Sequence, residues 1–249
     1  MTGRVLREAS RVELALLLRE PVALVFALAL PVVNVVVLGA VFGDQPDPTE
    51  DVFRGVSGST YYTPAYMSLV AAAVGLIVTP TQLAGYRERG VLRRIRASGL
   101  PVSAVLVSQV VVGLVLAVVG AALVLAVSFA SNEPDVPADV FGVLVAFLLG
   151  TVALTLLGLV LGALLPTARA AQGAGVMLWF VVLILGGAGP PPDVLPDAMG
   201  VVGTFTPLRP LVIALQDPWF GNGWNVVQLL VLLGLGVASG AVAAVRLRR

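Results

Sequence analysis

The sequence contains no cysteine, no histidine and no lysine. Without cysteine there is no disulfide and no thiolate. Without histidine there is no imidazole for acid–base work, and zinc or haem ligation loses its commonest donors. Without lysine there is no Walker A motif, whose lysine reaches the phosphates, and no Schiff-base chemistry. Charge is scarce as well. Only 12% of the 249 residues are charged and 58% are hydrophobic, whereas a soluble domain carries about 25% charged residues. With a mean hydropathy of +1.00, a soluble globular fold is excluded. The 27 glycines and 17 prolines follow no collagen-like period, and the long apolar runs exclude disorder. Arginine, alanine, valine and glycine in place of lysine suggest a GC-rich, bacterial genome.

What is present is a series of apolar stretches. Six run over about 22–42, 63–85, 102–130, 140–165, 171–189 and 224–245, and none contains Asp, Glu or Arg. Each is long enough to cross a hydrocarbon core of about 30 Å. The first is longer than a signal-peptide core and no small-x-small cleavage site follows it. The expectation is an all-α integral membrane protein of six transmembrane helices, a single domain over 1–249. Orientation follows from arginine. Thirteen of the fifteen arginines fall in segment 1–21, the loop after span 2, the loop after span 4 and the tail, leaving only Arg54 and Arg209 on the other side. The positive-inside rule then puts both termini in the cytoplasm. Small-residue pairs such as Gly158/Gly162 and Gly236/Gly240 suit close helix packing within the protomer.

Three segments are not plain spans. In residues 1–21, Val5, Leu6, Ala9, Val12 and Leu16 recur at helical spacing among Arg4, Arg7, Glu8 and Arg11, the pattern of an amphipathic interfacial helix on an anionic leaflet. The loop Tyr86–Pro101 holds five arginines and Glu88. Its Val91, Leu92 and Ile95 share one helical face, so the spacing predicts a short helix with an apolar side and a charged side. Topology alone explains the arginines but not the embedded acid or the apolar face. The stretch from Pro190 to Gly223 is Pro-rich, half-apolar and too long for an ordinary loop; it predicts a re-entrant segment on the outer side, where irregular backbone is tolerated if buried in protein.

Little chemistry remains. Every carboxylate lies outside the spans. Asp135/Asp139 and Asp44/Asp47 are the only acid pairs an intramembrane enzyme would find, and they suit outer-loop solvation. Proton-coupled pumps usually carry ionisable groups within the membrane, and none is present. The interior offers sparse amides and hydroxyls, among them Asn34, Gln82, Gln109 and Thr151, which are the candidate lining of a path for an apolar or amphipathic substrate. Energy for pumping would then come from a partner, received at the arginine-bearing loop. No catalytic, metal or cofactor-binding residue is expected, and nothing points to nucleic acid. A non-transport membrane assembly subunit stays open; it would need neither a docking helix nor polar residues along a path.

The loop Tyr86-Arg-Glu-Arg-Gly-Val-Leu-Arg-Arg-Ile-Arg-Ala-Ser-Gly-Leu-Pro101 resembles that of ABC-2 family permeases, the membrane subunits of ATP-binding-cassette exporters. An acid-Arg-Gly turn after span 2 leads there into a basic run ending in Leu-Pro. Gly189-Pro-Pro-Pro-Asp-Val-Leu-Pro196 followed by Thr206-Pro-Leu208 is similar to the family's outer segment, with the Pro triplet and Asp193 departing from an often aromatic stretch. The resemblance implies two permease copies or paralogues in the bilayer and separate ATPase subunits that hold ATP and Mg. It also implies a coupling helix after span 2 with the N-terminal helix beside it. Glu88, Arg89, Gly90, Leu92, Arg93 and Arg94 are the expected ATPase-coupling residues. Family members export drugs, antibiotics, lipids or glycans, in a bacterial plasma membrane.

Overall fold

The computed structural model describes residues 21–42, 51–97, 102–131 and 133–248. The expected amphipathic helix lies outside them but for Pro21, as do Asp44 and Asp47. Among the described residues there are helices and no strand. Helix α1 runs through Pro21–Leu24, a π-helical turn Val25–Ala29 and Leu30–Phe42. Helix α2 runs through Gly58–Ala73, a π turn Val74–Val78 and Thr79–Glu88. Then follow α3 (Val91–Ala97), α4 (Val102–Ser131), α5 (Val140–Leu164), α6 (Ala168–Leu185), α7 (Asp197–Thr204), α8 (Arg209–Trp219) and α9 (Val226–Arg248).

Five of these helices, α2, α4, α5, α6 and α9, are long and apolar enough to cross a membrane, and the described apolar part of α1, Val25–Val37, is shorter. Helices α7 and α8 form a pair bent by 88°, the geometry of either a broken span or the re-entrant loop expected of that segment. The bend has a plain cause. Phe205-Thr-Pro-Leu208 separates the two helices, and Pro207 disfavours helical conformation in the residue before it.

Span 2 is longer than its apolar run. It begins at Gly58, capped by Ser57, whose hydroxyl accepts from the Thr60 N–H. It continues through Pro64 and Pro80 to Glu88. It is also the buried axis of the bundle, surrounded by α1, α4, α5, α6 and α8. Its polar first turns, Ser59 to Thr63, are therefore inside protein rather than in lipid, which is why hydropathy alone placed the start late. Both π turns end one residue before an X-Pro position: Leu30-Pro31 and Thr79-Pro80. Proline removes an N–H and clashes with the carbonyl four residues back. A wider turn relieves the clash, and the Leu30 and Thr79 N–H groups bond to Val25 and Val74 carbonyls across it.

Glycine lets the neighbours approach α2. A Cβ on Gly158 of α5 would stand 2.0 Å from the Gly75 carbonyl oxygen, and one on Gly175 of α6 would stand 2.1 Å from that of Leu76. Gly162 meets Pro80 in the same way. Gly236 and Gly240 of α9 make looser contacts with Ala153 and Leu156. The small-residue pairs thus serve packing within the chain.

At the end away from the arginine-rich loop, hydrogen bonds knit the segments together. Arg54, with φ +59°, donates to Gln216 at 3.1 Å and pairs with Asp217 at 2.6 Å. Its guanidinium lies over the Phe220 ring. Asp135 accepts from the Thr60 hydroxyl at 3.1 Å, and Asp139 caps α5 through the Gly142 N–H at 3.0 Å. Both members of that acid pair are thus engaged in structural bonds.

Candidate functional site

The arginine-rich loop folds as a turn and a short helix against the body of the bundle. Helix α2 ends at Glu88, and Gly90, at φ +68°, takes the left-handed conformation that reverses the chain. The Gly90 N–H bonds to the Arg87 carbonyl at 3.1 Å, and the Arg94 N–H to the Gly90 carbonyl at 3.2 Å. Helix α3 follows at once. The Arg89 Nε closes back on the Gly85 carbonyl at 3.2 Å, and an Arg94 Nη donates to the Arg89 carbonyl at 3.5 Å.

Arg87 and Glu88 hold this turn to two other spans. Arg87 Nη1 donates to the Gly162 and Leu165 carbonyls at 2.9 and 3.0 Å, at the C-terminus of α5. Glu88 Oε2 accepts from the Ala168 N–H at 3.0 Å, at the N-terminus of α6, where the Thr167 hydroxyl accepts from the Ala170 N–H. A helix leaves its last carbonyls and first N–H groups unpaired and carries partial negative and positive charge at those ends. A cation on the first and an anion on the second therefore complement both. Glu88 does not cap α3 and makes no ion pair with Arg87 or Arg89; among the described residues the ion pair is Arg54–Asp217. Arg87 is missing from the sequence-derived coupling set. Its signal is its place next to Glu88, but its carbonyl partners lie 75 and 78 residues away.

Leu92 corrects an expectation. The apolar face of α3 is turned inward, not outward to a partner. Leu92 is 6% exposed and packs with Leu83, Tyr86, Val105, Leu159, Ala243 and Leu247, with Val91 and Ile95 partly buried against the same cluster. The face left in solvent carries Arg93 and Arg94. Beside it opens a cleft of about 340 Å³, lined by Arg87, Glu88, Gly90, Leu92, Arg93 and Pro166 together with Arg246 and Leu247 of α9. Arg246 counted in the sequence only as tail charge; the fold brings it to the loop.

None of the four candidate path residues lines the cleft beside α3. Gln109 and Thr151 are buried at 2% and 0% exposure, with the Gln109 amide and Thr151 hydroxyl unpaired. Gln82 is partly buried with its amide nitrogen unpaired, and Asn34 is partly buried on α1. The Gly113–Thr155 contact joins α4 to α5, with Gln109 one turn before it on α4 and Thr151 one turn before it on α5.

No curated protein matches this sequence. The ABC-2 type transporter family matches residues 6–220, a stretch that takes in α1 to α8, the arginine-rich turn and the bent outer pair. With the multi-pass helical fold and the family's span of most of its length, the chain belongs to the ABC-2 type transporters, as a membrane domain of an ATP-binding-cassette transporter.

Proposed function

We propose that this chain is the permease subunit of an exporter whose ATP and Mg are held by a separate ATPase subunit. Two permease copies, or this chain and a paralogue, form the pathway in a bacterial plasma membrane, with both termini cytoplasmic. The substrate is apolar or amphipathic, as a drug, antibiotic or lipid is, because none of the six apolar stretches contains Asp, Glu or Arg. The turn after α2 receives the ATPase.

The clamp made by Arg87 and Glu88 carries this reading. A displacement applied to α3 acts on the end of α2 and, through two charge-assisted contacts, on the ends of α5 and α6. Three spans then move as one body. The exposed Arg93 and Arg94, with the cleft that Arg246 lines, present positive charge to an acidic surface of the ATPase; rim charges of this kind steer association and set its salt dependence.

The test is reconstitution with the ATPase encoded beside the gene. Arg93→Glu with Arg94→Glu is expected to insert normally and to lower ATPase association roughly tenfold or more, since reversed charge meets like charge. Wild-type association and transport by the double variant would overturn the docking role.

A further inference from the structure

A second cavity, of about 210 Å³, lies at the opposite end of the bundle, against the first turn of α8 and the glycine pair that ends α6. Its polar lining is Arg54, Tyr61, Asp193, Arg209 and Gln216. Arg54 is committed to Gln216 and Asp217, and Gln216 donates in turn to the Tyr61 carbonyl. The Tyr61 hydroxyl is given to Gly187. Arg209 is not committed. Its Nη1 is wholly buried and has no hydrogen-bond partner, and no described carboxylate stands within ion-pair distance of it. Asp193, exposed, lines the same cavity and is likewise in no ion pair with a described cation. A buried, unpaired guanidinium N–H costs free energy, and an unshared cation and anion lining one small cavity complement a zwitterion.

The second observation is the neighbouring helix. Arg209 Nη1 lies close to Gly203 of α7, and α7 with its flanks exposes Met199, Val201, Val202 and Phe205, the last at 84%. An apolar helix beside a charged cavity, at the end of a membrane bundle, is the arrangement an amphiphile in the leaflet meets with chain and head group together. It sits in the outer leaflet if the arginine count sets orientation.

We propose that this cavity binds the head group of an ethanolamine phospholipid. Its phosphate accepts from Arg209, its ammonium pairs with Asp193, and its acyl chains lie along Val201, Val202 and Phe205. The site needs no ATPase and does not rest on the transport reading.

The experiment incorporates the purified full chain into nanodiscs of mixed phosphatidylethanolamine and phosphatidylglycerol, strips bulk lipid, and measures what is retained by native mass spectrometry. Wild type is expected to retain phosphatidylethanolamine in preference. Arg209→Gln should lower retention of both lipids roughly tenfold, the loss of a charge-assisted hydrogen bond, and Arg209→Lys should restore part of it. Asp193→Asn should abolish the preference between the lipids, and Phe205→Ser should lower retention of either. Asp193 and Phe205 are exposed, so these two variants decide the matter even if Arg209→Gln fails to fold. An unchanged lipid profile in both overturns the proposal. So does glycerophosphoethanolamine competing as well as the whole lipid, which would mark a site for a soluble head group. Loss of self-association instead of lipid in Phe205→Ser would assign the α7 face to a second copy and overturn it as well.

Discussion

Single side chains at the two ends of the bundle do work that their sequence neighbours do not reveal. Asp139 is the clearest titrating case. The Gly142 N–H, then the Trp224 indole N–H, hold its carboxyl below the ordinary carboxylate range. A lowered folded value means that the ionised form is favoured by folding. The contribution is therefore present above the unfolded value, about 3.9, and is lost as pH falls through the lowered one. Thermal unfolding in detergent should show wild type losing more stability than Asp139→Asn on going from pH 6 to pH 3, because Asn still caps α5 but does not titrate. Equal losses would refute this. Leu92 makes the other case. Because it is buried within the chain, Leu92→Ala should cost about 2–5 kcal/mol of stability, as truncations that leave cavities do. Any loss of ATPase association should track the lost stability. The reverse pattern, intact stability with weakened association, would restore Leu92 to the interface.

Elements are placed by what they touch, and here legibility in the sequence divides sharply. Helix α5 matches its apolar run almost to the residue, since its ends fall where the apolar residues stop. Helix α2 does not, because Ser59, Thr60, Tyr61, Tyr62 and Thr63 are polar or half-polar yet buried against α8, Asp135 and the aromatic cluster around Phe53. The bent pair α7–α8 was legible from its prolines. The inward turn of α3 was not, since a period of apolar residues marks a face and not the direction in which it points. Gly158 and Gly175 were visible as glycines in a glycine-rich chain; only the fold shows that each meets a carbonyl of α2. Gly158→Ala should therefore force the α2–α5 contact apart at about 1–3 kcal/mol, the usual range for overpacking, whereas Gly173→Ala, with nothing within 4 Å of the new methyl, should leave stability unchanged or raise it through helix propensity. Thermal unfolding of the two variants side by side checks the pair. A Gly158→Ala protein as stable as wild type would show that the close approach of α2 and α5 does not hold in the membrane.

Across the whole molecule, α2 joins two differently built ends. Its 31 residues extend about 46 Å at a rise of 1.5 Å per residue, enough to cross the hydrocarbon core and emerge on both sides. At one end Arg87 and Glu88 fasten it to the α5–α6 junction. At the other, Thr60 and Tyr61 tie it to Asp135, Gly187 and Gln216. The arginines follow this division. Arg87, Arg89, Arg93, Arg94, Arg169 and Arg246 gather at the first end, while Arg54 and Arg209 sit at the second, one paired with Asp217 and the other lining the cavity. Two arginines do not weigh against six in short loops and a helix end, so the first end should face the cytoplasm. The absence of native cysteine makes the test direct. Ala97→Cys, at the exposed end of α3, should react with an impermeant maleimide only after the cells are opened. Ser131→Cys and Asn222→Cys, exposed at the far end, should react in intact cells. Labelling of Ala97→Cys from outside, with Ser131→Cys and Asn222→Cys protected, would invert the protein, move the Arg93–Arg94 face away from any cytoplasmic ATPase and place the Arg209 cavity in the inner leaflet.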